Sequence, residues 1–147
     1  MQRYTMNFQP NLVEAQQATV AAVQTINKFY EIIQGSPPDD DDAIFAAIEL
    51  AIGEACTNAV KHRHEFAGQI TLTICLKGAI LEVMVKDRNH IFDFINMAEP
   101  DLDVFPDSGY GIYIIKKAMD LVAYQHIDGC NIVLMQKMLP GIDRKVL

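Results

Sequence analysis

The sequence predicts an α+β domain: a two-layer sandwich with a mixed, mostly antiparallel sheet covered by helices on one face. Three observations lead there. Apolar residues recur at helical spacing over two long stretches, Leu12–Ile33 and Ala43–His62. Two β-rich stretches, Gln69–Leu76 and Ile80–Lys86, are separated only by the short turn Lys77-Gly78-Ala79. A second such pair, Leu121–Ile127 and Asn131–Met138, flanks Asp128-Gly129.

The elements follow in order. Arg3–Phe8 is a short candidate strand in which Tyr4, Met6 and Phe8 alternate with polar neighbours, and Pro10 ends it. Asn11 is placed to cap the first helix, and Gly35-Ser36-Pro37-Pro38 stops it. The acidic run Asp39–Asp42 reads as a solvated turn capping the second helix, since acids are favoured beside unpaired N–H groups. After the first hairpin, Asn89–Ser108 is irregular and rich in acids, with Pro100 and Pro106; so long a loop in a compact domain is usually functional. Gly109–Asp120 reads as a helix leading into the second strand pair.

At 147 residues, positions 1–147 are read as one domain. Half the residues are hydrophobic and the net charge is −7, a balance that argues against binding nucleic acid through clustered Lys and Arg. Cys56, Cys75 and Cys130 are odd in number, widely spaced and set in apolar segments, which fits a reducing cytosol. The N-terminus lacks the apolar run of a signal peptide, and Glu49 and Glu54 interrupt the most apolar stretch, Ala43–Cys56. A soluble cytoplasmic protein with no membrane association is expected.

Three clusters carry the chemistry. On the second helix, Glu54, Asn58 and His62 stand at i, i+4 and i+8, forming one polar stripe on a helix otherwise apolar or small. A carboxylate and a carboxamide there would be costly to bury without partners, although a water-facing edge gives the same pattern. In Val83-Met84-Val85-Lys86-Asp87, an acid stands where a hydrophobic strand runs out, a usual place for a binding group and also for a turn. Asp107-Ser108-Gly109-Tyr110-Gly111-Ile112 is a Gly-x-Gly opening a helix, where free N–H groups suit phosphate oxygens.

Together these clusters resemble the ATP-binding boxes of the GHKL (Bergerat-fold) superfamily of histidine-kinase-like ATPases. Glu54-Ala55-Cys56-Thr57-Asn58-Ala59-Val60-Lys61-His62 resembles its N box, Asp87 its adenine-binding acid, and Ser108-Gly109-Tyr110-Gly111-Ile112 its glycine box. The spacings agree as well, with 29 positions from Asn58 to Asp87 and 22 from Asp87 to Gly109. Phe92-Asp93, together with the lack of a histidine-containing dimerisation helix, narrows the resemblance to the anti-sigma-factor serine kinases.

The resemblance implies roles. Asn58 would coordinate Mg²⁺, with ATP phosphates and water completing the shell. Glu54 would be the general base for a partner's serine hydroxyl. Asp87 would accept a hydrogen bond from the adenine amino group. Gly109 and Gly111, with Ser108 beside them, would let the helix start approach the phosphates. Lys61 and His62 stand where they could reach a phosphate, or equally form a solvated edge. The implied partners are a sigma factor and an anti-sigma-antagonist protein; a homodimer is left open.

Two positions depart from the family pattern. Asp87-Arg88-Asn89-His90-Ile91 stands where the family reads Asp-x-Gly-x-(Gly or Pro), so that Asn89 would replace the first glycine, and Asp107 takes the place of a frequent basic residue. They motivate two alternatives: a non-catalytic ATPase-fold protein-binding module with weak or no nucleotide turnover, and a detached histidine-kinase ATPase domain.

Overall fold

The structure is a computed structural model that describes residues 1–39, 42–62, 68–88 and 110–142. Among the described residues, five strands and three helices follow in the order β1 (Gln2–Phe8), α1 (Leu12–Gln34), α2 (Ala43–Lys61), β2 (Ile70–Lys77), β3 (Ile80–Asp87), α3 (Tyr110–Ala118), β4 (Leu121–Ile127) and β5 (Cys130–Met138). The sheet runs β1-β2-β3-β5-β4, and the mixed, mostly antiparallel sheet expected from sequence is antiparallel at each of these pairings. The long segment Asn89–Ser108 and the first residue of the anticipated Gly109 helix lie outside the described residues.

Local chemistry fixes the ends of each element. Asn11 caps α1 by accepting from the Glu14 N–H at 2.9 Å, while Glu14 reaches back to the Gln9 N–H at 3.0 Å. Gly35 ends α1 in the left-handed conformation at φ 80° and donates its N–H to the Glu31 carbonyl. Asp42 caps α2, accepting from the Ile44 N–H at 2.8 Å. At Asp128-Gly129 both φ angles are positive, 53° and 75°, the handedness that suits a two-residue hairpin to the twist of its strands.

Strand alternation divides the sheet into two faces. Ile70, Leu72, Ile74 and Leu76 of β2 and Leu81, Val83 and Val85 of β3 are buried on the helix side. Thr71, Thr73, Cys75 and Lys77 point to the other face. The helices lie across the first face in chain order: α1 against β1 and β2, α2 against β3 and flanked by both other helices, and α3 beside β4.

Of the described helices, α2 alone has the length and apolar composition to cross a bilayer, at 19 residues and mean hydropathy 1.4. That exceeds the apolar stretch anticipated from sequence. In the fold Ile48, Ala51, Ile52, Ala55 and Cys56 face the core, while Leu50 stays exposed.

The chain after β5 is tied back to the helices. Tyr30 donates its hydroxyl to the Pro140 carbonyl at 3.0 Å, Gln34 donates to the Gly141 carbonyl at 2.6 Å, and the Leu139 N–H reaches the Ala79 carbonyl at 2.7 Å. Tyr30 also meets Phe45 edge-to-face with centroids 5.2 Å apart, joining α1 to α2. At the α3–β4 corner, Asp120 accepts from the Met138 N–H at 2.8 Å and from Lys137 at 3.2 Å. The Met138 N–H, seconded by Lys137, holds the Asp120 carboxyl below its ordinary range.

Candidate functional site

Two polar clusters interrupt the helix side of the sheet. The first lies between α2 and α3. Glu54 and Asn58 are one turn apart on α2, both half-buried, at the border between its buried face and solvent. Gly111, in the first turn of α3, comes directly against them. A Cβ at Gly111 would stand 2.7 Å from Glu54 Oε2, 3.1 Å from Asn58 Oδ1 and 3.2 Å from Asn58 Nδ2. Because Gly111 has no side chain, α3 lies this close while Glu54 and Asn58 keep these positions. Ile112 and Ile115 hold α3 down by burying their side chains.

Glu54 also opens onto a groove of about 620 Å³ between α1 and α2, whose walls include Leu12, Thr19, Val20, Leu50 and Thr57. Its volume lies within the range typical of ligand sites, about 300–1,000 Å³.

The second cluster is at the end of β3. Asp87 continues the buried face of Leu81, Val83 and Val85 and is only 5% exposed. Its register partner on β5 is Asn131, which is fully buried. Asn131 Nδ2 donates to Asp87 Oδ1 at 2.9 Å. The amide oxygen of Asn131 in turn accepts from the Tyr124 hydroxyl and lies 2.8 Å from His126 Nδ1. Both of these residues come from β4, on the same side of the sheet. On the opposite face of the sheet at this strand end lies a hollow of about 350 Å³ bordered by Asn7, Gln69, Thr71, Lys86 and Arg88.

The structure therefore brings Glu54, Asn58 and Gly111 together and sets Asp87 in a separate polar cluster. Lys61 and His62 are exposed where α2 ends, and the His62 N–H closes the helix on the Asn58 carbonyl at 3.0 Å. Asn89, Ser108 and Gly109, anticipated from the sequence as nucleotide-binding, lie outside the described residues.

Asn131, Tyr124 and His126 were not anticipated. The available signal was a carboxamide at a helix-facing position of an apolar strand, two residues before Val133. Its meaning depends on the β3–β5 register, which pairs residues 44 positions apart.

Among the described residues no three His, Cys, Asp or Glu side chains converge as a metal-binding group. The donors present nonetheless suit Mg²⁺. That ion takes hard oxygens, commonly one or two from protein with phosphate and water supplying the rest, and the Asn58 amide oxygen in the Gly111 cradle is such a donor.

The chain resembles known proteins in sequence and in fold. The profile of the histidine kinase-like ATPase domain matches residues 13–137. The serine-protein kinase RsbW of Bacillus cereus is 36% identical over 101 residues, which is 63% of this chain and 62% of that protein, so the match spans under two thirds of the relative's length. Among solved structures, the RsbU and RsbW domains of a Mycobacterium tuberculosis protein superpose with a TM-score of 0.64 at 14% identity, covering 95% of this chain and 33% of that one. The mycobacterial sensor histidine kinase MprB gives 0.54 at 11% identity, covering 92% of this chain and 97% of that one. These two likenesses are of fold. With 125 consecutive positions (13 to 137) inside the family profile, the chain belongs to the histidine kinase-like ATPase domain family, a membership that implies ATP binding.

Proposed function

We propose that this domain is an ATP-dependent protein serine kinase of the anti-sigma type, acting in the cytosol. Its substrate is a serine of an anti-sigma-antagonist protein, and it also sequesters a sigma factor. The observation that carries this reading is the closure of Gly111 over Glu54 and Asn58, which sets a carboxylate and a hard-oxygen donor side by side at the start of a helix. The serine-kinase relatives support it.

In this reading Asn58 supplies an amide oxygen to Mg²⁺, which when bound neutralises charge on the ATP phosphates. Glu54 accepts the proton of the partner's serine hydroxyl. The serine oxygen bonds to the γ-phosphorus while the bond from that phosphorus to the bridging oxygen breaks, leaving ADP and a phosphoserine. Asp87 accepts from the adenine amino group. The groove between α1 and α2, into which Glu54 opens, is where the partner presents its serine.

The test is incubation of the protein with labelled ATP, Mg²⁺ and an anti-sigma-antagonist domain, beside a form of that domain whose acceptor serine is alanine. Label on the first and none on the second is expected. Stable binding of the domain without any transfer overturns the kinase reading.

A further inference from the structure

The hydrogen-bond directions around Asp87 form a determined chain. An ionised carboxylate only accepts, so the atom of Asn131 that faces Asp87 Oδ1 at 2.9 Å must be the amide nitrogen. The Asn131 oxygen then points the other way and can only accept. The Tyr124 hydroxyl donates to it, and His126 Nδ1, 2.8 Å away, must carry a proton to do the same. Two donors from β4 thus hold the amide, and the amide holds one oxygen of the carboxylate. With Asn131 fully buried and Asp87 5% exposed, the bond between them has little competition from water, while Tyr124 is half-buried and His126 lies at the exposed end of the chain of donors.

Anchoring Oδ1 sets the plane of the carboxylate and therefore the direction in which Oδ2 is aimed. We propose that Asn131, braced by Tyr124 and His126, is a positioning residue that aims Asp87 and so sets the preference for adenine over guanine. This inference rests on the reading of Asp87 as the adenine acceptor. Adenine offers an amino donor at the position where guanine carries a carbonyl oxygen, which a fixed carboxylate rejects. A carboxylate free to turn makes the adenine bond less often and repels the carbonyl less strongly.

The test measures ATP and GTP affinities by calorimetry for the full chain and for Tyr124→Phe, Asn131→Ala and Asp87→Asn, with melting temperatures for each. Tyr124→Phe removes one hydroxyl and keeps the ring, so it serves if Asn131→Ala fails to fold. Loss of a single positioning hydrogen bond is expected to weaken ATP about threefold in Tyr124→Phe and about tenfold in Asn131→Ala. GTP should move less, so the ATP-to-GTP ratio falls. A merely structural role would weaken both nucleotides alike. An unchanged ratio in the folded variants, while Asp87→Asn abolishes the preference, overturns the positioning role and leaves the adenine reading standing. No preference in the wild type, or none lost in Asp87→Asn, overturns both. Nitrogen-15 spectra of the imidazole give an independent check: His126 should carry its proton on Nδ1, and a neutral ring protonated only at Nε2 overturns the chain of donors.

Discussion

Gly111 of α3 lies so close to Glu54 of α2 that a methyl group in its place would stand 2.7 Å from the carboxylate Oε2. The glycine is therefore part of the polar cluster's shape as well as of the helix start. The atoms it would displace are the ends of the Glu54 and Asn58 side chains, which can swing aside without moving backbone.

That asymmetry predicts the phenotype of Gly111→Ala. Folding should survive, because alanine is the better helix former by roughly 1 kcal/mol and offsets part of the crowding. Activity should not, because the displaced groups are the proposed base and metal ligand, and a small misplacement can cost about 10²-fold. Circular dichroism melting beside a labelled-ATP assay checks both. Full activity in a folded Gly111→Ala protein would mean that Glu54 and Asn58 work from elsewhere.

Glu54→Gln and Asn58→Ala should fail in different ways. The first removes a proton acceptor and keeps the size of the side chain, so nucleotide and partner binding persist while phosphoryl transfer slows by about 10²–10⁴-fold. The second removes an oxygen donor, so Mg²⁺-dependent nucleotide binding itself weakens. Titrating ATP with and without Mg²⁺ into both variants separates the two losses, and identical behaviour in all assays counts against distinct roles.

Asp87→Asn should weaken adenine-nucleotide binding by about 0.5–1.5 kcal/mol. The new amide must also turn its oxygen toward the Asn131 NH₂, which directs its own NH₂ at the adenine amino group. Calorimetry reads the loss; an affinity equal to the wild type would make Asp87 a structural strand-end residue only.

Cys56, on the core side of α2, gives a prediction in pH. Burial pushes its thiol from the ordinary 9.0 up to about 12, with the Thr19 contact pulling weakly the other way. Below pH 9 the thiol is neutral both folded and unfolded, so its full contribution to stability is present. Between about pH 9 and 12 only the unfolded chain releases the proton, and stability falls by up to about 1.4 kcal/mol per pH unit. The stability gap between wild type and Cys56→Ala in urea should therefore narrow from pH 8 to pH 10.5. Thiol reagents at pH 8 should label half-buried Cys75 ahead of buried Cys56 and Cys130.

The sequence by itself determined the described elements and several of their ends. Periodicity of 3.6 and 2 residues is a local property, and Asn11, Gly35, Asp42 and Asp128-Gly129 act within a few residues of themselves, so all were legible before any fold was known. The Glu54–Asn58 stripe was legible for the same reason, since one helical turn separates the two. Tertiary structure alone decided what each of them touches. Setting β5 between β3 and β4 pairs Asp87 with Asn131, and packing α3 on α2 brings Gly111 onto Glu54, across 57 positions of chain (54 to 111). Neither contact leaves a periodic trace. Strand order and helix docking follow from burying one continuous apolar face, and that is a property of the whole chain.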